Sequence, residues 1–209
     1  MSRLFRYSIA VLLAVLILPT VASAQALQSF SGGTLFATFE ADGDTVGWRF
    51  TVNRPIIVTH LGFWDGDNAT APMVLSHPVG LWDNAGLLLT SNTVNPTSPL
   101  TGAFRYEPTA NVQIPAGTYN LGAFYSATNP ISDGYMTSTT GIVMAAGFTM
   151  NNTLRDPTGP QTGLVFPSLA TAVGGRFGPN ILFTEVPEPA SLAGVALFAV
   201  GAMFRRRRA

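Results

Sequence analysis

Short stretches in which apolar and polar residues alternate recur between residues 27 and 184. In the clearest of them, Val46, Trp48, Phe50 and Val52 alternate with Gly, Arg and Thr residues. A period of two places successive side chains on opposite faces of a strand, so this pattern predicts a half-buried β-strand. Ten stretches carry this type of signal and are predicted to be strands: 34–39, 45–52, 56–64, 78–82, 87–94, 102–106, 111–114, 118–125, 141–148 and 175–183.

Gly, Pro, Asn and Asp residues separate the predicted strands. Residues 83–86 and 115–117 predict hairpin turns, because each contains a glycine that can adopt a positive φ. Residues 95–101 are predicted to form an exposed loop, and residues 151–163 the longest loop. No stretch carries a helical period long enough to compete, so we expect an all-β domain at residues 25–185. Its predicted architecture is an antiparallel two-sheet sandwich of jelly-roll-like type.

The N-terminal residues 1–24 have the pattern of a secretory signal peptide. Two arginines precede an apolar stretch at 9–18, which is too short to cross a membrane comfortably. The small residues Ala22 and Ala24 then form the type of site that signal peptidase cleaves. We therefore expect a signal peptide helix, export across the inner membrane and cleavage after Ala24.

The C-terminal residues 186–209 combine a proline-rich motif, an apolar helix and a basic cluster. Pro187, Glu188 and Pro189 precede an uncharged stretch at 190–204, which is predicted to be a transmembrane helix. Its fifteen residues span about 22 Å as a helix, less than the roughly 30 Å of a hydrocarbon core. The arginines that follow should stay on the cytoplasmic side: Arg205, Arg206, Arg207 and Arg208. This tail is therefore predicted to be a transient anchor.

This order of features resembles the PEP-CTERM sorting signal of Gram-negative bacteria that make exopolysaccharide. In that family the motif corresponds to Pro187, Glu188 and Pro189, followed by the helix and the arginine cluster. The resemblance implies that an exosortase processes the chain near the motif. It also implies a final location at the cell surface or in the extracellular matrix, with exopolysaccharide as a partner.

The charges of the chain are segregated between its ends and its middle. The sequence has 11 basic and 11 acidic residues, but residues 25–185 contain five Arg against ten Asp or Glu, a net charge of −5. A mildly acidic domain without a basic stripe argues against nucleic acid as a partner. The chain contains no cysteine, which excludes disulfides and cysteine-based metal sites.

A second resemblance lies within residues 45–125. Its most specific part is the run Leu81-Trp82-Asp83-Asn84-Ala85-Gly86-Leu87-Leu88. The stretch resembles a β-sandwich family of extracellular bacterial proteins that has no assigned function and often accompanies carbohydrate-active modules. The resemblance implies a sandwich fold and supplies no catalytic residue.

Two acidic turns are candidates for a structural calcium site. Asp42 and Asp44 flank one glycine, and Asp65 and Asp67 flank another. Calcium prefers six to eight oxygen ligands from flexible acidic loops of this kind. The second turn lacks the later ligands of an EF-hand, and solvated turns explain both sequences equally well.

The sequence offers no catalytic constellation. It has two histidines, His60 and His77, without a Gly-x-Ser-x-Gly elbow or a His-Glu-x-x-His motif. Trp48, Trp64 and Trp82 could stack against sugar rings, but their strand positions favour core packing. We therefore expect a non-enzymatic, exosortase-sorted protein associated with exopolysaccharide. The alternatives are a calcium-assisted, lectin-like carbohydrate-binding module and, third, a hydrolase.

Overall fold

The computed structural model describes residues 23–36, 43–66, 72–126, 133–156, 158, 161–171 and 174–186. These residues form the following strands: β1 (Ala24–Gln25), β2 (Leu27–Ser31), β3 (Thr34–Phe36), β4 (Asp44–Val52), β5 (Ile56–Trp64), β6 (His77–Asp83), β7 (Leu88–Val94), β8 (Leu100–Thr101), β9 (Phe104–Ile114), β10 (Gly117–Tyr125), β11 (Tyr135–Thr137), β12 (Thr140–Met144), β13 (Phe148–Arg155), β14 (Leu169–Thr171), β15 (Gly175–Phe177) and β16 (Pro179–Glu185).

The prediction of an all-β, antiparallel domain is confirmed. Every strand pair within the described residues is antiparallel. Among these residues, no helix has the length and apolar character that a membrane crossing requires. The predicted signal peptide helix and the predicted transmembrane helix at 190–204 lie outside the described residues.

Two large sheets and two small ones make up the fold. The five-stranded sheet has the order β1-β16-β5-β9-β8, and the six-stranded sheet has the order β14-β13-β4-β10-β6-β7. A three-stranded sheet (β15-β11-β3) and a two-stranded sheet (β12-β2) complete the fold. From β4 to β16 the chain passes repeatedly between the two large sheets, so these sheets are built together rather than one after the other.

The two large sheets share one hydrophobic core. Phe148 of the six-stranded sheet packs against Phe183 of the five-stranded sheet, with ring centroids 4.7 Å apart. Trp48 is fully buried, and its Nε1 donates to the carbonyl oxygen of Pro179 at 2.8 Å. This bond satisfies the indole N–H inside an apolar environment. The predicted alternation on β4 is confirmed, because its apolar residues belong to this core.

A proline that suggested a strand boundary lies inside β9. The stretches 102–106 and 111–114 were predicted to be separate strands, but β9 runs continuously from Phe104 to Ile114. Pro108 and Val112 of β9 pair with His60 and Val58 of β5. Between these two pairs, β9 has three residues and β5 has one. This bulge, in which Asn111 has a φ of 48°, lets the strand tolerate Pro108.

Three further strand boundaries differ from the prediction. The stretch 141–148 divides at a turn, where Gly147 has a φ of 85°, into the end of β12 and the start of β13. The predicted loop at 151–163 begins too early, because β13 continues to Arg155. The stretch 175–183 divides at Gly178 into β15 and β16. The pattern located these segments but not the places where the chain changes sheet.

Two of the predicted loops are also corrected. The loop at 95–101 is not wholly exposed, since Ser98 is buried and β8 pairs with β9. The turn at 83–86 is the predicted hairpin between β6 and β7, with Gly86 at a φ of 92°. Residues 115–117, in contrast, connect β9 of the five-stranded sheet to β10 of the six-stranded sheet. That turn therefore crosses the core and does not close a hairpin.

Candidate functional site

Five polar side chains lie on one half of the outer face of the six-stranded sheet. Asn151 is exposed, Arg49, Thr51 and Thr118 are half-buried, and Asn120 is buried beneath them. On β4 and β10 they alternate with core residues, so they point away from the core. Arg49 Nε donates to Asn120 Oδ1 at 2.7 Å, and Thr51 Oγ1 donates to Asn151 Oδ1 at 3.0 Å. Thr118 Oγ1 lies 3.0 Å from Thr51 Oγ1 and donates to it, because the Thr51 proton is already used. We name these five residues the polar strip.

The buried residue Asn120 fixes the orientation of the polar strip. Asn120 is fully buried, and its Nδ2 donates to the carbonyl oxygen of Asp83 at 2.9 Å. This bond fixes the amide that in turn accepts from Arg49. The terminal Nη groups of Arg49 bond to none of the described residues. The strip therefore presents a positive, planar donor beside hydroxyl and amide groups of fixed orientation.

A groove of about 670 Å³ adjoins the polar strip at Asn151. Ile142, Met144 and Met150 give it an apolar side, and the exposed residues Thr149 and Asn152 give it a polar one. This volume lies within the range of roughly 300–1,000 Å³ that small-molecule sites occupy. The strip and the groove therefore meet at Asn151.

The other half of the same face is covered. Three glycines lie side by side there: Gly47 on β4 pairs with Gly122 on β10, which pairs with Gly80 on β6. Residues 161–168, which we name the covering segment, pack over this floor. A Cβ atom at Gly122 would lie 2.9 Å from Cγ of Pro167, so the segment fits only over glycine.

The three tryptophans occupy three different environments. Trp48 is buried in the core, as predicted, and Trp64 is half-buried against its edge. Trp82 is also buried, but the prediction that it faces the core is wrong. Its ring lies on the outer face, beneath the covering segment, 6.1 Å from the ring of Phe166. Alternation places Trp82 opposite to Leu81, and only a contact with a distant segment buries it.

His77 and Asp133 form a buried pair at one end of the domain. His77 Nε2 lies 3.0 Å from Asp133 Oδ2, and His77 Nδ1 lies 3.0 Å from the carbonyl oxygen of Phe124. Asp133 also accepts hydrogen bonds from the backbone N–H groups of Val74 and Leu75 at 2.8 and 2.7 Å. Both ring nitrogens of His77 are therefore engaged, and the pair joins two distant loops.

These contacts decide the protonation state of Asp133. Burial pushes the pKa of its carboxyl upward, but the hydrogen bonds from His77, Leu75 and Val74 outweigh burial. The pKa consequently lies below its ordinary value. His60, the other histidine, lies on β5, where its Nδ1 is 3.0 Å from Oγ1 of Thr59.

Asp65, one of the predicted calcium ligands, is engaged in closing a loop. It is 1 % exposed, accepts a hydrogen bond from the backbone N–H of Met73, and lies 2.8 Å from Nη2 of Arg105. Arg105 Nη1 in turn donates to the carbonyl oxygen of Ser98 at 2.9 Å. The guanidinium therefore compensates the buried carboxylate. Asp67 lies outside the described residues.

Asp44, the other predicted calcium ligand among the described residues, lies beside the carboxylate of Asp156, which the sequence pattern did not indicate. The backbone N–H of Asp156 donates to Asp44 Oδ1 at 3.2 Å. Burial raises the pKa of Asp44, the Asp156 charge raises it further, and that N–H, Arg176 and Arg155 act in the opposite direction. The described residues contain no cluster of three or more acidic or histidine side chains placed to hold a metal. Asp42 lies outside the described residues.

The two ends of the domain lie side by side. Ala24 pairs with Phe183 and Gln25 with Leu182, so β1 and β16 are antiparallel neighbours. The cleavage predicted after Ala24 would leave Gln25 as the first residue of this edge strand. The remaining predicted processing residues lie outside the described residues: Ala22, Pro187, Glu188, Pro189, Arg205, Arg206, Arg207 and Arg208.

The last residue of β16 is held by an ion pair. Arg54 Nη2 contacts Glu185 Oε1, and the same Nη2 donates to the carbonyl oxygen of Ala146 at 3.0 Å. Arg54 thus links the end of β16 to the turn before β13. Both side chains are partly open to solvent, with 34 % of Arg54 and 56 % of Glu185 exposed.

Several of these residues could not be identified from the sequence. Asp133 and Asp156 carry no local motif, and each acquires its partner only through the fold. Asn120 was placed on a strand, but nothing in the sequence distinguishes its buried amide from an exposed one. The alternation on β4 could have indicated that Arg49 and Thr51 share an outward face.

Comparison with known protein families identifies one segment of the chain. The family described as "PEP-CTERM protein-sorting motif" matches residues 185–208. This confirms the sorting signal predicted at the C-terminus. The motif marks an exported protein that is recognised by an exosortase and held transiently in the membrane before its release at the surface. No curated protein matches the chain.

Proposed function

We propose that this exported protein is a non-enzymatic component of the cell surface or extracellular matrix, and that its β domain binds exopolysaccharide. The observation that carries the proposal is the polar strip. The Thr51 and Thr118 hydroxyls, the Asn151 amide and the Arg49 guanidinium lie at least partly exposed on the outer sheet face, and hydrogen bonds among the strip residues orient them. A sugar presents hydroxyl groups at a similar density, and each can both donate and accept hydrogen bonds.

We also propose that the fold is a jelly-roll-like sandwich with an added edge. When β1, β4, β5, β6, β7, β9, β10 and β16 are numbered one to eight, the large sheets have the orders 1-8-3-6 and 2-7-4-5. These are the orders that two successive Greek keys produce in a jelly roll. β13 and β14 extend the six-stranded sheet beside β4. This extension supplies Asn151 to the polar strip and places the groove beside it.

The orientation of the polar strip favours binding over a purely structural role. Asn120 is fixed by Asp83, so the strip needs little reordering when a ligand arrives. The Nη groups of Arg49, which bond to none of the described residues, suit the paired hydroxyl oxygens of a sugar. The net charge of −5 between residues 25 and 185 opposes an anionic polymer. We therefore expect neutral glycans to bind more tightly than acidic ones.

The environment of His77 supports a non-enzymatic role. A general base must offer a free nitrogen to the proton that it removes. Both nitrogens of His77 are engaged, by Asp133 and by the carbonyl oxygen of Phe124. The ring also stacks on Phe63, with centroids 3.8 Å apart. This arrangement suits a residue that fixes loops.

The test is binding of the mature protein to purified exopolysaccharide from its own cells, measured by calorimetry. The variant Thr51→Val/Thr118→Val removes two hydroxyls of the polar strip while keeping side-chain shape. Each hydrogen bond contributes about 0.5–1.5 kcal/mol, so we expect binding to weaken by roughly 5- to 100-fold.

The matched control is Thr93→Val, which removes an exposed hydroxyl on β7, outside the polar strip. We expect this variant to bind like the unmodified protein. The proposal fails if the unmodified protein does not bind the polysaccharide. It also fails if the control loses as much affinity as the double variant.

A second candidate function is a calcium-assisted, lectin-like module. One observation favours it: Asp156 is 6 % exposed, and its Oδ2 has no hydrogen-bond partner among the described residues. Its Oδ1 accepts from the backbone N–H and the hydroxyl of Thr158. With Asp44 beside it, a divalent cation would neutralise two neighbouring carboxylates.

Calcium titration with and without a chelator tests this second function. A cation bound at this position would raise the melting temperature, and both Asp44→Asn and Asp156→Asn would abolish that rise. Glu185→Gln, at the surface elsewhere, would preserve it. An unchanged melting temperature of the unmodified protein at millimolar calcium would contradict the second function.

A further inference from the structure

The sorting motif begins where the folded domain ends. The matched segment starts at Glu185, which is the last residue of β16. Thr184 and Glu185 pair with Ile57 and Ile56 on β5. One residue, Val186, separates this strand from Pro187, so the motif starts within about 7 Å of the sheet even when the chain is extended.

The chain leaves the domain for the membrane at a single end. Because β1 and β16 are antiparallel and Ala24 lies opposite Phe183, the residues before Ala24 and after Glu185 leave at the same end. The Asn53–Arg54 turn and the turn at 145–147 lie at this end as well, since Arg54 contacts Glu185 and donates to the carbonyl oxygen of Ala146. An exosortase in the membrane must therefore reach the motif directly beside this end of the domain.

The backbone just before the motif is partly engaged in the sheet. Consecutive residues of an antiparallel strand point their N–H and C=O groups to opposite sides, so β5 engages these groups in one of the two residues Thr184 and Glu185. An enzyme cannot bind the engaged groups at the same time. The part of β16 nearest the motif has β5 on one side, while β1 ends opposite Phe183. Phe183 itself is buried against Phe148. The opening of β16 can therefore include Thr184 and Glu185 without disturbing the core.

We propose that the end of β16 gates the sorting reaction: exosortase processes the motif only when Thr184 and Glu185 separate from β5. Arg54 is the positioning residue of this gate, because its contact with Glu185 favours the closed state. The inference rests on the sorting route and is independent of glycan binding. It assigns to the domain a regulatory influence on its own release.

A reversible crosslink tests the gate directly. Thr184 and Ile57 lie opposite one another, and neither belongs to the matched segment. The chain has no cysteine, so the variant Ile57→Cys/Thr184→Cys contains a single cysteine pair. In membranes that contain the exosortase, we expect the oxidised variant to be processed at least about tenfold more slowly than the same variant after reduction.

A longer connection between β16 and the motif should make processing faster. Insertion of Gly-Ser-Gly-Ser between Val186 and Pro187 moves the motif away from the sheet, and we expect faster processing. Arg54→Gln should accelerate processing about two- to fivefold, since an exposed ion pair has a modest effect. Arg54→Lys keeps the charge and should resemble the unmodified protein. In the chain with the insertion, Arg54→Gln should make no further difference.

Processing is followed by mass spectrometry of the mature C-terminus, and melting temperatures show that each variant is folded. Equal rates for the oxidised and reduced crosslink variant would overturn the gate, as would an insertion without effect. Processing that is absent in every chain, the unmodified one included, would instead overturn the sorting route. The two failures are therefore distinguishable.

Discussion

His77 and Asp133 form a buried pair in which His77 Nε2 lies 3.0 Å from Asp133 Oδ2. Nδ1 faces the carbonyl oxygen of Phe124, which can only accept, so Nδ1 donates. The pKa of Asp133 lies below its ordinary value, because the hydrogen bonds from His77, Leu75 and Val74 outweigh burial. The His77 ring is 2 % exposed, so the pair lies inside the domain.

This pair predicts an acid-sensitive component of stability. Because the pKa of Asp133 is lowered on folding, its contribution is complete above the ordinary value of 3.8 and is lost as the pH falls through the lowered value. Asp133→Asn replaces the carboxylate that contacts His77 and accepts from Val74 and Leu75, and should cost about 1–3 kcal/mol near neutral pH. Urea unfolding near pH 7 and near pH 3 measures the difference, which should shrink at the lower pH.

Glu185→Gln provides the comparison for this experiment. Glu185 is 56 % exposed, so its replacement should change stability little at either pH. A loss of stability in Asp133→Asn that is the same near pH 7 and near pH 3 would contradict an ionised Asp133.

The covering segment predicts opposite outcomes for two glycines. A Cβ at Gly122 would lie 2.8 Å from Thr45 Cγ2 and 2.9 Å from Pro167 Cγ, whereas a Cβ at Gly163 would meet no atom within 4 Å. Gly122→Ala should therefore displace the covering segment and destabilise the domain by about 1–3 kcal/mol. Gly163→Ala should stay within about 0.5 kcal/mol of the unmodified protein.

Urea unfolding of both glycine variants gives the free energies. The tryptophan emission, to which Trp82 contributes, reports exposure of the surface beneath the segment. We expect a red-shifted emission in Gly122→Ala and none in Gly163→Ala. Equal stability of the two variants would indicate that the covering segment is not seated on the glycine floor.

The strand pattern predicted the core more reliably than the surface. Val46, Phe50 and Val52 alternate on β4 and all lie in the core, because a period of two determines which side chains share a face. Trp82 follows the same rule and so points outward. Its burial depends on Phe166, more than eighty positions later, and alternation within one strand carries no information about such a contact.

The candidate site was less predictable for the same reason. Arg49 and Thr51 share a face by alternation, but their partners Asn120 and Asn151 come from strands whose pairing requires the complete topology. The sequence places Asn151 in the predicted loop at 151–163, which contains Pro157, Gly159 and Pro160. In the structure it occupies a bulge in β13, where the extra residue turns its amide toward Thr51.

The contact between Arg105 and Asp65 predicts a loss of stability when the buried carboxylate is left without its partner. Asp65 is 1 % exposed and lies 2.8 Å from Arg105 Nη2. Arg105→Gln should destabilise the domain by about 3–5 kcal/mol, because the Asp65 charge remains buried. Adding Asp65→Asn removes that charge and should recover part of the loss, which unfolding of the single and double variants measures. A strictly additive double variant would contradict direct coupling.

Asn180 joins β16 to the start of β2 through its side-chain amide. The residue is fully buried, its Oδ1 accepts from the backbone N–H of Leu27 at 3.1 Å, and its Nδ2 donates to the Leu27 carbonyl oxygen at 2.9 Å. The amide thus replaces a strand partner for Leu27.

Asn180→Ala would leave both backbone groups of Leu27 buried without partners, at about 1–3 kcal/mol for each unsatisfied group. Asn84→Ala, in the exposed turn between β6 and β7, removes an amide of the same type and should change stability by less than about 0.5 kcal/mol. Hydrogen exchange at Leu27 provides the local measurement, since the amide should lose protection in Asn180→Ala alone. Retained protection there would mean that Leu27 does not depend on Asn180, and that β2 is held by its pairing with β12.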